Sequence, residues 1–122
     1  MKDQYTDEAQ KKRGHTQSYK IAAQRTQKYT ADDWARIKAD AQRIYCGFYA
    51  CQTMPLKSVQ VADWVNEWQQ HLDQNFYPCD DTMLRQLAEL YEQDPRYAKN
   101  IDKMGGQGTA EFMSKAIRFH RP

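Results

Sequence analysis

Glycine, proline and cysteine are scarce in this 122-residue sequence, which contains 5, 4 and 3 of them respectively. Strand-like alternation is confined to residues 59–61, too short to indicate a sheet. No run approaches the roughly 18 apolar residues of a membrane-spanning helix, and the N-terminus lacks the apolar core of a signal peptide. We therefore expect an all-α protein that stays in the cytoplasm and does not contact membranes.

Charge of one sign is also lacking, since 18 Lys and Arg are balanced by 16 Asp and Glu. Residues 1–30 are more basic than the rest, with seven Lys/Arg against three Asp/Glu. These charges are interspersed rather than clustered, so a solvated helical face explains them better than contact with nucleic acid or an acidic surface. We expect no direct binding of nucleic acid by this chain, and the sequence leaves its oligomeric state open.

The few reactive side chains do not form a recognisable chemical site. Cys46, Cys51 and Cys79 lack the spacing of a zinc site, and their odd number leaves at least one thiol free. His71, beside an apolar helix face, suits either haem ligation or a hydrogen-bonded position at the edge of the core, and we favour the second. No nucleophile–base–orienter set is visible. The sequence predicts no metal, no cofactor and no enzymatic activity.

Apolar residues recur at spacings of three and four along most of the chain, which predicts about six helices with short connections. A short helix is expected after Gly14, and a later one from Asp94-Pro95 through Ile101. The longest helix is expected to end near Met54, because Pro55 disfavours helical geometry in the residue before it. Its apolar stripe comprises Trp34, Ile37, Ala41, Ile44, Phe48 and Cys51. The predicted N-caps are Thr30, Ser58, Asp80 or Asp81, and Asp94.

The composition changes near residues 29–31, which predicts two parts. Residues 1–29 form a basic helical arm with few apolar side chains, whose order depends on what it folds over. Residues 30–122 are expected to form the main helical domain, which carries the periodic apolar residues.

Five spaced elements follow one another between Trp68 and Phe119. They are Phe76-Tyr77-Pro78-Cys79, the stretch from Leu87 through Tyr91 to Asp94-Pro95-Arg96-Tyr97, Asn100-Ile101-Asp102, Gly108-Thr109-Ala110, and Phe112 with Ala116-Ile117. Their order resembles that of the TipAS antibiotic-recognition domain, the effector half of MerR-type regulators, whose usual elements are F-Y-x-C, L-x-x-x-Y-x-x-D-x-R-[FY], N-I-D and G-x-A-x-F-x-x-x-A-I.

The resemblance implies a globin-like bundle whose aromatic groove binds an amphipathic or heteroaromatic antibiotic of the thiopeptide type. Cys79 falls on the family's cysteine, which in thiopeptide-binding members can add to a dehydroamino acid of the ligand, so it is a candidate for covalent or reversible capture. From its spacing alone, Cys79 is better explained as a small apolar residue at a helix junction, with a pKa lowered by the helix start and raised by Asp80 and Asp81. The candidate ligand-binding residues are Trp68, His71, Phe76, Tyr77, Cys79, Tyr91 and Tyr97.

The resemblance is weaker near the N-terminus. The family often shows E-x-x-x-x-W-G-x-T-x-A-Y there, and Arg13 stands in place of the tryptophan. Since this region closes over ligand in relatives, residues 1–29 are expected to act as a lid. The winged helix-turn-helix and coiled coil of MerR-type regulators have no counterpart before residue 5. We expect an effector domain of such a transcriptional regulator or a free-standing form that sequesters drug.

Two interpretations compete with specific parts of this prediction. The aromatic groove could instead receive a partner helix, which would make the protein an interaction module. The D-x-R and N-I-D elements have a structural explanation, in which Asp94 caps a helix and Arg96 pairs with a nearby carboxylate such as Asp102. The glycine-rich stretch 105–108 lacks the strand and the Lys-Ser/Thr of a phosphate loop and is expected to be a flexible connection.

Overall fold

The computed structural model describes residues 13–122, and these residues form α-helices without strands. The helices are α1 (Arg13–Thr26), α2 (Ala31–Ala50), α3 (Val59–Asn75), α4 (Asp81–Gln93), α5 (Pro95–Gly105) and α6 (Thr109–His120). The predicted all-α class with six helices is confirmed for this part of the chain. None of these helices is long and apolar enough to span a membrane. The first part of the predicted arm, residues 1–12, lies outside the described residues.

The helix starts are built as the sequence predicts. The Thr30 hydroxyl accepts from the Asp33 N–H while the Asp33 carboxylate accepts from the Thr30 N–H, which is a capping box at α2. Ser58, Asp80 and Asp94 cap α3, α4 and α5 with their side-chain oxygens. Each cap satisfies a backbone N–H that has no partner inside its own helix.

α6 begins differently, and its start corrects one prediction. Its N-cap residue is Gly108, which adopts a left-handed φ of 88° and has no side chain to cap with. The Asp102 carboxylate on α5 accepts instead from the N–H groups of Gly108 at 3.2 Å and Ala110 at 2.9 Å. Asp102 is therefore not the partner of Arg96, whose guanidinium pairs with Asp94 at 2.8 Å.

Three predicted helix boundaries are wrong. α1 begins at Arg13 and includes Gly14, rather than beginning after this glycine. α2 ends at Ala50 rather than near Met54, because the Cys51 N–H bonds back to Phe48 O and the chain tightens into turns before any proline. α5 runs past Ile101 to Gly105 and ends where Gly106 adopts a φ of 130°.

The core lies between α2, α3, α4 and α6, with α5 closing it at one side. Its largest fully buried side chains include Ile44, Phe48, Leu84, Met113 and Ile117. Cys51 is buried, as its place on the apolar stripe predicts, and Cys46 is exposed. Trp34 is the exception on that stripe, since it is 43% exposed at the edge of the core.

Candidate ligand-binding site

An aromatic cluster joins the end of α3 to α4 and α5. It comprises Trp68, His71, Phe76, Tyr77, Tyr91 and Tyr97. The rings of Trp68 and His71 are stacked with their centroids 5.2 Å apart, and the ring centroids of His71 and Phe76 lie 6.0 Å apart. On its other side Trp68 meets Tyr91 at 6.5 Å, and Tyr91 meets Tyr97 at 5.9 Å. Five of the predicted site residues thus form one connected series of rings.

Tyr77 lies within the same cluster, in the connection between α3 and α4. Its side chain is buried, and the pKa of its hydroxyl is raised above the ordinary value by burial first and by neighbouring Cys79, Tyr19 and Tyr97 next. Burial also raises the pKa of Tyr91. These hydroxyls therefore stay neutral, and they supply hydrogen bonds without charge.

Polar contacts hold the inner rings in position. The Trp68 Nε1–H donates to the Tyr91 hydroxyl at 3.2 Å, and the His71 Nδ1 lies 2.8 Å from Asp40 Oδ2. Burial disfavours the charge of Asp40, but hydrogen bonds from His71 and Arg43 outweigh it and lower the pKa of this carboxyl below its ordinary value. His71 is more deeply buried than the edge position predicted for it, because its ring lies flat on Trp68.

The cluster reaches solvent at both ends. At one end the ring of Phe76 contacts Trp34 at 6.2 Å, and Trp34 contacts Tyr29 at 5.5 Å. At the other end the hydroxyl oxygens of Tyr97 and Tyr19 lie 3.4 Å apart, and Tyr19 is half exposed. Rings are therefore continuous from an exposed surface, through the buried interior, to a second exposed surface.

α1 covers the edge of the cluster through a small contact. Ile21 and Ala22 pack on the core, and Tyr19 reaches Tyr97 as described above. At its other end, Arg25 Nη1 donates to Asp73 O at 2.6 Å. The Tyr29 hydroxyl, just beyond the helix, donates to Asn75 O at 2.6 Å. α1 is thus attached mainly to the last turn of α3.

Cys79 lies beside the cluster, between α3 and α4. Its N–H donates to Asp73 Oδ1 at 2.9 Å, and its carbonyl accepts from Gln69 Nε2 at 3.0 Å. The side chain is 5% exposed. Burial, followed by the charges of Asp73, Asp80 and Asp81, raises the pKa of its thiol to about 12. The helix start was expected to lower this pKa, and here that effect is outweighed.

An open polar groove of about 230 Å³ lies on the outer side of Cys79. It is lined by Asn66, Gln69, Gln70, Asp73 and Cys79. Its wall is fixed because the Gln69 amide also binds Arg121, and Arg121 pairs with Asp81 at 3.2 Å. The spacing of its lining residues on α3 was visible in the sequence, but a solvated helix face gives the same pattern.

The aromatic side chains and the thiol are thus adjacent, and among residues 13–122 no group of three His, Cys, Asp or Glu side chains is arranged to hold a metal ion. The profile of the TipAS antibiotic-recognition domain matches residues 5–120. The chain belongs to this family. The resemblance seen in the sequence is confirmed over nearly the whole length of the chain.

Known members of the TipAS family show what the chain is similar to. It is 32% identical over 117 residues to the HTH-type transcriptional activator TipA of Streptomyces coelicolor, covering 94% of this chain and 46% of that protein. It is 31% identical over 113 residues to the HTH-type transcriptional activator mta of Bacillus subtilis, covering 93% and 43%. The chain therefore spans about half the length of the curated relatives it matches.

A solved structure supports the same assignment. The chain superposes on TipAS of Streptomyces lividans in complex with the thiopeptide nosiheptide, with a TM-score of 0.71 and 29% identity. The match covers 98% of this chain and 87% of that one. The predicted globin-like helical fold is confirmed by this superposition.

Sequence reasoning missed three parts of the site. Tyr45 packs its ring 5.1 Å from Trp68, and burial raises the pKa of its hydroxyl to about 12. Asp40 supports His71 from a different helix, and Trp34 extends the cluster to solvent. Tyr45 and Trp34 occur at helical spacing, which favours core positions over a place in a cleft, and nothing local in the sequence connects Asp40 with His71.

Proposed function

We propose that this chain binds a thiopeptide, or an antibiotic of similar size with flat heteroaromatic rings, at the aromatic cluster. It acts in the cytoplasm, by binding rather than by catalysis, and makes no direct contact with nucleic acid. Membership of an antibiotic-recognition family supports the ligand class, and the solved relative is bound to nosiheptide. The proposed ligand-binding residues are Trp68, His71, Phe76, Tyr77, Cys79, Tyr91 and Tyr97.

The observation that carries this proposal is the continuity of the rings. Trp68 and Tyr91 are buried, but Phe76 and Tyr97 at the cluster edge are only partly buried, and α1 reaches Tyr97 through Tyr19. Rigid aromatic faces bind flat rings at low cost in conformational entropy. A ligand that displaced α1 would therefore meet a preformed wall whose inner rings are already held by hydrogen bonds.

The proposal includes residues 1–29 as a lid over the ligand. α1 is the described part of this arm, and the hydrogen bonds described between it and α3 or α5, those of Tyr19 and Arg25, lie at exposed positions. Displacing it costs little compared with opening the core, so α1 can leave and then refold over the ligand. Unchanged amide exchange and protease sensitivity of residues 1–29 on ligand binding would refute the lid.

Capture at Cys79 would follow reversible binding. The thiol adds across the C=C bond of a dehydroamino acid, so that Sγ bonds to the β-carbon and a proton goes to the α-carbon, with no leaving group. The raised pKa of Cys79 makes this step slow while the thiol stays buried. A ligand without an accessible dehydroamino acid would be held by the aromatic cluster alone.

In a longer chain with a DNA-binding half, as in the HTH-type activators, this domain would serve as the effector. Ordering of the arm over the ligand is the signal that such a protein could transmit. Alone, the same domain would sequester the drug. Both roles need the same binding event, so ligand binding is the step to test first.

The test uses nosiheptide as the probe, with isothermal titration calorimetry and intact-protein mass spectrometry. We expect saturable binding to the wild type and at least about fivefold weaker binding to Tyr97→Ala, since losing one well-packed aromatic contact costs more than about 1 kcal/mol. Tyr49→Ala is the matched control, because Tyr49 is exposed and packs on Gly106 outside the cluster. Cys79→Ala separates covalent from reversible capture by the mass gain.

Each outcome decides a different part of the proposal. Equal affinities of Tyr97→Ala and Tyr49→Ala would remove the aromatic cluster as the site. Binding without a mass gain would mean reversible capture. No heat and no stabilisation with nosiheptide would exclude thiopeptides of this kind, and the partner-helix alternative would then be the one to pursue.

A further inference from the structure

Asp73 connects α1 with the segment that carries Cys79. Its backbone carbonyl accepts a hydrogen bond from Arg25 Nη1 at 2.6 Å. Its carboxylate Oδ1 accepts one from the Cys79 N–H at 2.9 Å. Because both bonds belong to one residue in the last turn of α3, the two neighbouring segments are held by the same residue.

We propose that Asp73 is a positioning residue that couples the docking of α1 to the burial of the Cys79 thiol. While α1 is docked, the last turn of α3 is fixed and Cys79 is held out of reach of electrophiles. When α1 leaves, that turn loosens and the thiol becomes accessible. This inference deepens the proposed function, but its test uses no antibiotic, so the two can fail independently.

The end of a helix is where such coupling is strongest. The last four carbonyls of α3 have no partner within the helix, and two of them, Asp73 O and Asn75 O, are satisfied from outside by Arg25 and Tyr29. A guanidinium there also interacts favourably with the negative end of the helix dipole. Undocking α1 removes the Arg25 donor, and Tyr29 is lost as a donor when the segment that follows α1 moves with it, so the final turn frays more readily.

Fraying of this turn acts on the thiol in two ways. It frees the Cys79 N–H, so the connection from Tyr77 to Asp80 can swing outward toward the polar groove that Cys79 already lines. It also moves the Asp73 charge away from the sulfur. Burial and the charges of Asp73, Asp80 and Asp81 are what keep the thiol protonated, so opening makes it both more accessible and more acidic.

The three cysteines allow a test with internal standards. Alkylation by iodoacetamide at pH 8 would be followed by peptide mass spectrometry on the full chain. Cys46 is exposed and reports the intrinsic rate, whereas Cys51 is buried in the core and reports global unfolding. The proposed coupling is measured by the alkylation rate of Cys79 relative to the alkylation rates of Cys46 and Cys51.

We expect Arg25→Ala and Tyr29→Phe each to raise the alkylation rate of Cys79 several-fold, and both together to raise it up to about tenfold. The alkylation rates of Cys46 and Cys51 should not change. Tyr29→Phe removes only the hydroxyl and keeps the ring on Trp34. Arg36→Ala and Tyr49→Phe are the matched controls, since both residues lie on α2 and neither bonds to α3 in the described structure. Arg25→Lys should restore slow alkylation in part.

The pH profile separates positioning from loss of structure. Asp73→Asn keeps an acceptor for the Cys79 N–H and removes the charge, so the rate–pH curve should move to lower pH. Asp73→Ala removes the acceptor as well and should also raise the rate at every pH. The coupling through Asp73 is wrong if Arg25→Ala and Tyr29→Phe leave the alkylation rate of Cys79 unchanged. It is also wrong if they raise the alkylation rate of Cys51 to the same extent.

Discussion

Gly47 shows how one residue without a side chain allows two helices to approach. A Cβ added there would fall well inside contact distance of the Trp64 indole on α3. Trp64 in turn lies under the guanidinium of Arg43, 5.6 Å from the ring centroid. The indole therefore contacts two positions of α2, one turn apart, and Gly47 is required by packing between α2 and α3.

We expect Gly47→Ala to destabilise the protein by about 1–3 kcal/mol through overpacking, despite the better helix propensity of alanine. Ala39→Gly, at an exposed position of α2, measures the propensity effect alone and should cost roughly 1 kcal/mol. Urea denaturation of the three proteins gives both values. Stabilisation by Gly47→Ala would mean that Trp64 repacks without strain.

Asp40 makes the free energy of unfolding depend on pH in the acid range. Its folded-state pKa is lowered, so its stabilising effect is complete above the ordinary value of 3.8 and is lost as the pH falls through the lower folded value. Asp40→Asn should therefore destabilise the protein at pH 7, by about 0.5–1 kcal/mol given the partial exposure of the pair. Denaturation curves from pH 7 to pH 2.5 should show this difference shrinking; a constant difference would contradict the prediction.

Among the helix starts, that of α6 depends most on another element. Thr109 and Ala110, its first two residues, are buried, so water cannot replace the bond from Asp102 to Ala110 N. We expect Asp102→Ala to cost about 1–2 kcal/mol and Asp102→Asn less, because asparagine keeps one acceptor. Thermal unfolding measures both. Asp94→Ala, at the exposed start of α5, is the control and should cost less than Asp102→Ala.

The same helix starts show what the sequence could predict. Thr30, Ser58, Asp80 and Asp94 were all identifiable, because a cap depends on residues within three positions of it. The cap of α6 was not, since its carboxylate comes from the preceding helix. Asp102 was instead assigned to Arg96, whose true partner, Asp94, is nearer in sequence. Contacts within one turn can be predicted from a sequence, whereas contacts between helices depend on how the helices pack.

The site follows the same rule. The aromatic candidates came from the family resemblance, and the structure brings five of them into contact because Trp68, Tyr91 and Tyr97 lie on packed helices while Phe76 follows the end of α3. Asp40 and the polar groove were not predicted, because polar residues at helical spacing look the same whether they line a groove or face open water. Cys79 lies just ahead of the start of α4, as its position in the sequence predicts, but its pKa depends on burial that only the assembled fold provides.

At the scale of the whole molecule, the buried tyrosines and the buried thiol limit stability at high pH. Burial raises the pKa of Tyr45 and Cys79 to about 12 and also raises those of Tyr77 and Tyr91. In the unfolded chain the tyrosines ionise near 10.0 and the cysteine near 9.0. Above pH 9 the folded state thus binds more protons than the unfolded state, so the free energy of unfolding must fall as the pH rises.

The stabilisation is complete below pH 9 and is lost as the pH rises toward the folded values, by about 1.4 kcal/mol per pH unit for each fully linked group. Guanidinium denaturation from pH 7 to pH 11, with tyrosinate absorbance recorded alongside, tests this. Tyr77→Phe should flatten the decline, and Tyr49→Phe, at an exposed ring, should not. Because the ligand would bind where these groups lie, nosiheptide should delay the alkaline transition. A stability that stayed level to pH 11 while all eight tyrosines ionised would mean that these hydroxyls are solvated in the folded protein.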